Sequence, residues 1–110
     1  MSIKISNRLF DGPHLLKEWS PLNFPAIYAI LIKPDPENNP DGFQIIYLCE
    51  SNELSEKNYL DHPKYDCWFK KAGFKGNIYI GAHVMPKSTF EDMKMLKNAL
   101  IAVHKPQCNF

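Results

Sequence analysis

The sequence predicts an α/β (α+β) domain: a three-stranded antiparallel sheet flanked by helices, with elements in the order β-β-α-α-β-α. Two runs rich in β-branched and aromatic residues, Ala26 to Lys33 (AIYAILIK) and Phe43 to Cys49 (FQIIYLC), read as strands. The polar, turn-rich segment PDPENNPDG joins them, which favours a hairpin with antiparallel pairing. A long amphipathic segment near the C-terminus supplies the clearest helix.

The elements follow in order. Residues 1–24 read as an N-terminal extension packed on a domain of residues 25–110. Within the extension, Asp11-Gly12-Pro13 is a turn signal and His14 to Trp19 a short helical turn. Pro21 and Pro25 bracket an extended approach to the first strand. After the hairpin, Ser51 to Leu60 predicts a short helix capped by Ser51 or Asn52, and Pro63 interrupts it. Lys64 to Ala72 predicts a second helix, with Gly73 placed to end it. Asn77 to Met85 (NIYIGAHVM) is the third strand. In the last helix Ser88 and Glu91 have capping-box spacing, and Met93, Leu96, Leu100 and Val103 mark one apolar face. Pro106 stops it.

A chain of 110 residues fits one domain, and 45% hydrophobic residues is a globular composition rather than a disordered one. A formal net charge of +1 excludes nucleic-acid binding by bulk charge and leaves local patches open. Of 13 basic residues only Arg8 is arginine, so the planar fork that grips phosphate at two points is scarce. No apolar run reaches the ~20 residues of a membrane helix, so no membrane partner is expected. MSIKISNRLFDG lacks a signal-peptide pattern. Cys49, Cys67 and Cys108 form no C-x-x-C pair, which excludes a zinc ribbon and predicts free thiols in a reducing cytoplasm.

Two strand tyrosines carry the functional lead. Tyr28 and Tyr47 each follow an isoleucine, and pairing of their strands would bring both phenols to one face. Alone, strand tyrosines are ordinary packing residues. The wider pattern carries more: Ala26-Ile27-Tyr28-Ala29-Ile30, then Ile46-Tyr47-Leu48-Cys49-Glu50-Ser51-Asn52-Glu53-Leu54, then Ala99 to Asn109 with an aliphatic pair, a proline and an asparagine. With Tyr65-Asp66-Cys67-Trp68 and Met85-Pro86-Lys87-Ser88-Thr89, this order and spacing resembles the GIY-YIG nuclease superfamily over residues 25–110. Tyr79-Ile80-Gly81 spells half of that name but lies in the third strand, too far from Tyr28 to be the hairpin partner.

The resemblance implies hydrolysis of phosphodiester bonds with one divalent metal, Mg2+ or Mn2+. It also implies a tyrosine that helps activate water, an arginine on the first helix, a histidine or second tyrosine, and a metal-holding glutamate on the last helix. A metal and cations neutralise charge that builds on phosphate oxygens. The two tyrosine positions match Tyr28 and Tyr47. The arginine position is Lys57, and the histidine position is Asp61 with His62 next to it. The glutamate position is Lys97. Small Ala26 and Cys49 stand in for the motif glycines. Lys57 keeps the charge but loses the fork. Lys97 puts a cation where the family holds a metal, so no metal ligands and impaired or lost hydrolysis are expected. Two cations, Lys57 and Lys97, would make such a cleft a holder of DNA or RNA that does not cut it. Two alternatives stay open. One is an active DNA endonuclease whose metal site is rebuilt from Glu50, Glu53, Glu56, Asp61 or Asp66. The other is an inhibitory or accessory module with a protein partner.

Lys64, Lys70, Lys71 and Lys75 are interleaved with Tyr65, Trp68, Phe69 and Phe74, a pattern that suits a single strand or a phosphate backbone. The plainer expectation is that Trp68 and Phe69 pack in the core beneath a solvated lysine face. His83 reads as a packed or surface histidine, and His104 as a residue suited to a helix C-terminus.

Overall fold

A computed structural model describes residues 2–20, 24–50 and 59–110. Five strands make one antiparallel sheet: β1 (Ser2–Ile5), β2 (Arg8–Leu15), β3 (Ala26–Ile32), β4 (Gln44–Glu50) and β5 (Ile78–Val84), in the order β1-β2-β5-β3-β4. Helices α1 (Tyr65–Ala72) and α2 (Phe90–His104) complete the fold.

The α+β class and the β3–β4 hairpin agree with the sequence reading. The three-stranded sheet does not: residues 2–15 add two more strands instead of packing on it as an extension. Ser6 and Asn7, both at positive φ, close the β1–β2 hairpin with a backbone that follows strand twist. Asp11-Gly12-Pro13 is no turn. It lies inside β2, where the register against β5 shifts between Asp11 and His14. A bulge accommodates a proline within a strand because no ladder donor is needed there. Gly12, at φ 122°, is required: a Cβ would stand 2.7 Å from the Ile80 carbonyl oxygen.

β3 is the middle of the packing. It pairs with β5 and β4, and all of its residues are buried, as expected for a strand covered on both faces. Alternation sends Ala26, Tyr28, Ile30 and Ile32 into one core with Trp68 and Ala72 of α1. It sends Ile27, Ala29 and Leu31 into a second core with Met93 and Leu100 of α2. α1 and α2 therefore cover opposite faces.

α2 is capped one residue later than Ser88 and Glu91 suggest. The Asp92 amide donates to Thr89 Oγ1 and the Thr89 amide donates to Asp92 Oδ2, each at 3.1 Å. Lys105, at φ 47°, ends the helix before Pro106. Of the expected apolar face, Met93 and Leu100 are buried and Leu96 partly so, whereas Val103 points to solvent and Ile101 packs in its place.

The cysteines also depart from expectation. α1 and the C-terminal turn meet on one face with Cα atoms of Cys67 and Cys108 5.8 Å apart, and the two sulfurs are bonded. Cys49, buried in β4, takes no part. No helix among the described residues is long and apolar enough to cross a membrane.

Candidate functional site

The β3–β4 register pairs Tyr28 with Cys49 and Ile30 with Tyr47. The two tyrosines are thus diagonal neighbours on the α1 face, and both belong to the same core cluster. Neither lies in an open cleft. Tyr28 is 0% exposed, with its ring edge-on to Trp19 at 5.0 Å. Tyr47 is buried against Trp68 at 5.5 Å and His62 at 5.4 Å. Neither Ala26 nor Cys49 needs positive φ, so loss of the motif glycines strains nothing.

His62 and Trp68 stack at 4.8 Å. The Lys64 amide donates to His62 Nδ1 at 3.0 Å, so the neutral imidazole carries its proton on Nε2. Trp68 Nε1–H is buried with no hydrogen-bond partner among the described residues. Burial raises the Tyr65 phenol above its ordinary value, and neighbouring Tyr59 and Asp66 push it the same way. Tyr47, Tyr59, His62, Tyr65, Trp68 and Phe69 form one aromatic nest around α1.

The solvent side of α1 is cationic. Lys70, Lys71 and Lys75 are exposed and Lys64 is partly so. Trp68 is core, as expected, but Phe69 is not: it is 43% exposed, and Phe74 is 56% exposed. Helix geometry explains this. Buried Trp68 and Ala72 are four residues apart on one stripe, and Phe69 falls a third of a turn away from Trp68. Lys57 and residues 51–58 of the expected helix lie outside the described residues; Tyr59–Asp61 forms a single 3-10 turn.

Lys97 sits elsewhere. β4 pairs Glu50 with Ile27, so Glu50 projects into the α2-side core, on the far side of the sheet from the phenols. There Lys97 Nζ meets Glu50 Oε1 at 3.1 Å, with side chains 21% and 5% exposed. The sheet thus separates Lys97 from Tyr28, Tyr47 and His62. The buried carboxylate carries an internal cation, and no group of three or more His, Cys, Asp or Glu among the described residues could hold a metal ion.

Two asparagines escaped the sequence reading. Asn109 accepts from the Leu48 amide at 2.8 Å and donates to the Leu48 carbonyl at 3.0 Å, closing part of the outer edge of β4. Asn77 does the same to both backbone groups of Lys33 and also donates to the Ala72 carbonyl. The terminal asparagine of the family-like pattern was the only available signal. Comparison of the chain with protein-family models, curated proteins and solved structures finds no match.

Proposed function

We propose that the chain is a GIY-YIG-like nuclease-fold protein that has lost phosphodiester hydrolysis and retains binding of nucleic acid. The observation that carries this reading is the placement of Lys97, the position where the resemblance puts the metal ligand, on the far side of the sheet from Tyr28 and Tyr47. Its ammonium is paired with the buried Glu50 carboxylate instead. A divalent ion would have to displace it. Burial of Tyr28 supports the same conclusion, because a phenol with no solvent access is poorly placed to activate water. Binding rests on the α1 surface, where Lys64, Lys70 and Lys71 flank exposed Phe69: the lysines suit phosphates and the ring suits a base.

The test is incubation of the purified chain with labelled DNA and RNA, with and without Mg2+ or Mn2+. Binding without cutting is expected, weakened by added salt. Lys70→Ala with Lys71→Ala should lower affinity and flatten the salt dependence by roughly two phosphate contacts. Metal-dependent cutting that disappears in Tyr28→Phe would overturn the reading in favour of a rearranged endonuclease. Neither binding nor cutting would leave a protein-interaction module.

A further inference from the structure

We propose that α2 is the contact surface of a homodimer, in which the α2 of a second copy of this chain packs antiparallel against its solvent side. The surface is separate from α1, which covers the opposite face of the sheet. At about 100° of turn per residue, Met93, Leu96, Leu100 and Ile101 face the sheet. Glu91, Met95, Asn98 and Ala102 fall on the opposite line, with Ala99 and Val103 beside it. A helix on the outside of a domain normally turns polar residues to water. Here Met95 is 71% exposed and Val103 69%, more than any other large apolar residue of a described helix or strand. Ala99 and Ala102, between them, are exposed too. None of the four belongs to either core, so the outer stripe does nothing for the packing of its own chain.

Charge and size complementarity identify the occupant. In a two-fold pair one surface must match itself. With the axis at Asn98, each residue meets the one equally far beyond Asn98 in the other copy. Glu91 stands seven residues before Asn98 and Lys105 seven after it, so each end of the pair sets a carboxylate against an ammonium. Both side chains are exposed, and neither has an ion-pair partner among the described residues. Exposed pairs of this kind set register more than they add affinity. The two Asn98 amides meet at the centre, where each has a donor and an acceptor for the other.

Between centre and ends, Met95 lies against the partner's Ala102. The two small alanines leave room for helix axes roughly 8–10 Å apart, and the long thioether fills it. Antiparallel packing also puts each helix N-terminus beside the other's C-terminus, which suits both dipoles. A formal net charge of +1 gives the copies little reason to repel each other. One pair of 15-residue helices buries less than the ~1,600 Å² of a standard interface, so the dimer is weak, with a dissociation constant on the order of micromolar to tens of micromolar.

Sedimentation velocity of the full chain, from about 1 μM to about 1 mM, should show a reversible monomer–dimer equilibrium. Met95→Lys should weaken it about tenfold or more while leaving the melting temperature of dilute protein unchanged, because Met95 is outside the core. Glu91→Lys and Lys105→Glu should each weaken association. An equimolar mixture of these two variants should associate better than either alone, because each reversed end then faces its complement; only an antiparallel pairing of unlike ends predicts that recovery. A chain that stays monomeric throughout, association indifferent to Met95→Lys, or a mixture no better than its components would each overturn the proposal. The first of these would leave the stripe to a partner other than a second copy.

Discussion

Glu50 is the residue on which most depends. A carboxylate buried at the end of a central hairpin is costly unless a cation reaches it, and Lys97 does so from α2. Replacing Lys97 by methionine keeps the stem that packs on the sheet and removes only the charge. The expected loss is about 2–3 kcal/mol, because a buried carboxylate loses its Lys97 cation. Urea unfolding at neutral pH measures it. Adding Glu50→Gln should recover part of that loss, since the cost lies in the broken charge pairing rather than in missing packing. A Lys97→Met variant as stable as the parent would mean that the Lys97 charge contributes nothing to holding Glu50 in place. The sequence singled out Lys97 as the departure from the family pattern. It did not reveal the partner, because Glu50 looks like an ordinary residue following an apolar strand. The strand register fixes its face: Glu50 pairs with Ile27 and, two residues from Leu48, shares its side of the sheet.

At the scale of elements, the runs with one clear period were legible: β3, β4, β5, α1 and α2 all lie where apolar spacing places them. β1 and β2 were not. Their hairpin turns on Ser6-Asn7 rather than a glycine-bearing pair, and a Gly-Pro step breaks the alternation of β2 at its bulge. The C-terminal turn was equally opaque, because its contacts are made by side chains distant in sequence. Asn109 acts as a substitute strand residue on Leu48, and the Cys67–Cys108 bond ties the same turn to α1. These two attachments should be separable. Asn109→Ala removes two hydrogen bonds from a part-buried edge and should cost about 1–3 kcal/mol. Reduction opens a link spanning 41 residues of sequence, for which loop entropy alone gives about 4 kcal/mol. Hydrogen exchange at the Leu48 amide reads both. It should accelerate in Asn109→Ala under oxidising conditions, and accelerate again when that variant is reduced. Protection unchanged by both treatments would mean that β4 holds its edge without the turn.

For the molecule as a whole, the N-terminal strands decide what counts as the domain. The family-like pattern begins near residue 25, which suggests that residues 25–110 could stand alone. The packing argues otherwise. Phe10 and Leu16 are completely or almost completely buried, and Ile5 is nearly so. Phe10 lies in the α2-side core with Ile27, Leu31 and Met93, and Leu16 in the α1-side core with Tyr28 and Trp68, so the segment seals both faces of the sheet. Its removal would also strip β5 of its β2 neighbour and leave an unpaired edge beside an apolar surface. Burying three large side chains contributes roughly 1.5–3 kcal/mol each, a total comparable with the whole stability of a domain this size. A chain starting at residue 25 should therefore lack a cooperative thermal transition and expose apolar surface to a hydrophobic dye. Adding residues 1–24 as a separate peptide should restore part of the signal, because β2 can dock on β5 without a covalent link. A truncated chain that melts cooperatively near the parent temperature would show that the hairpin is an ornament, and the three-stranded unit suggested by the sequence would then be the true folding domain.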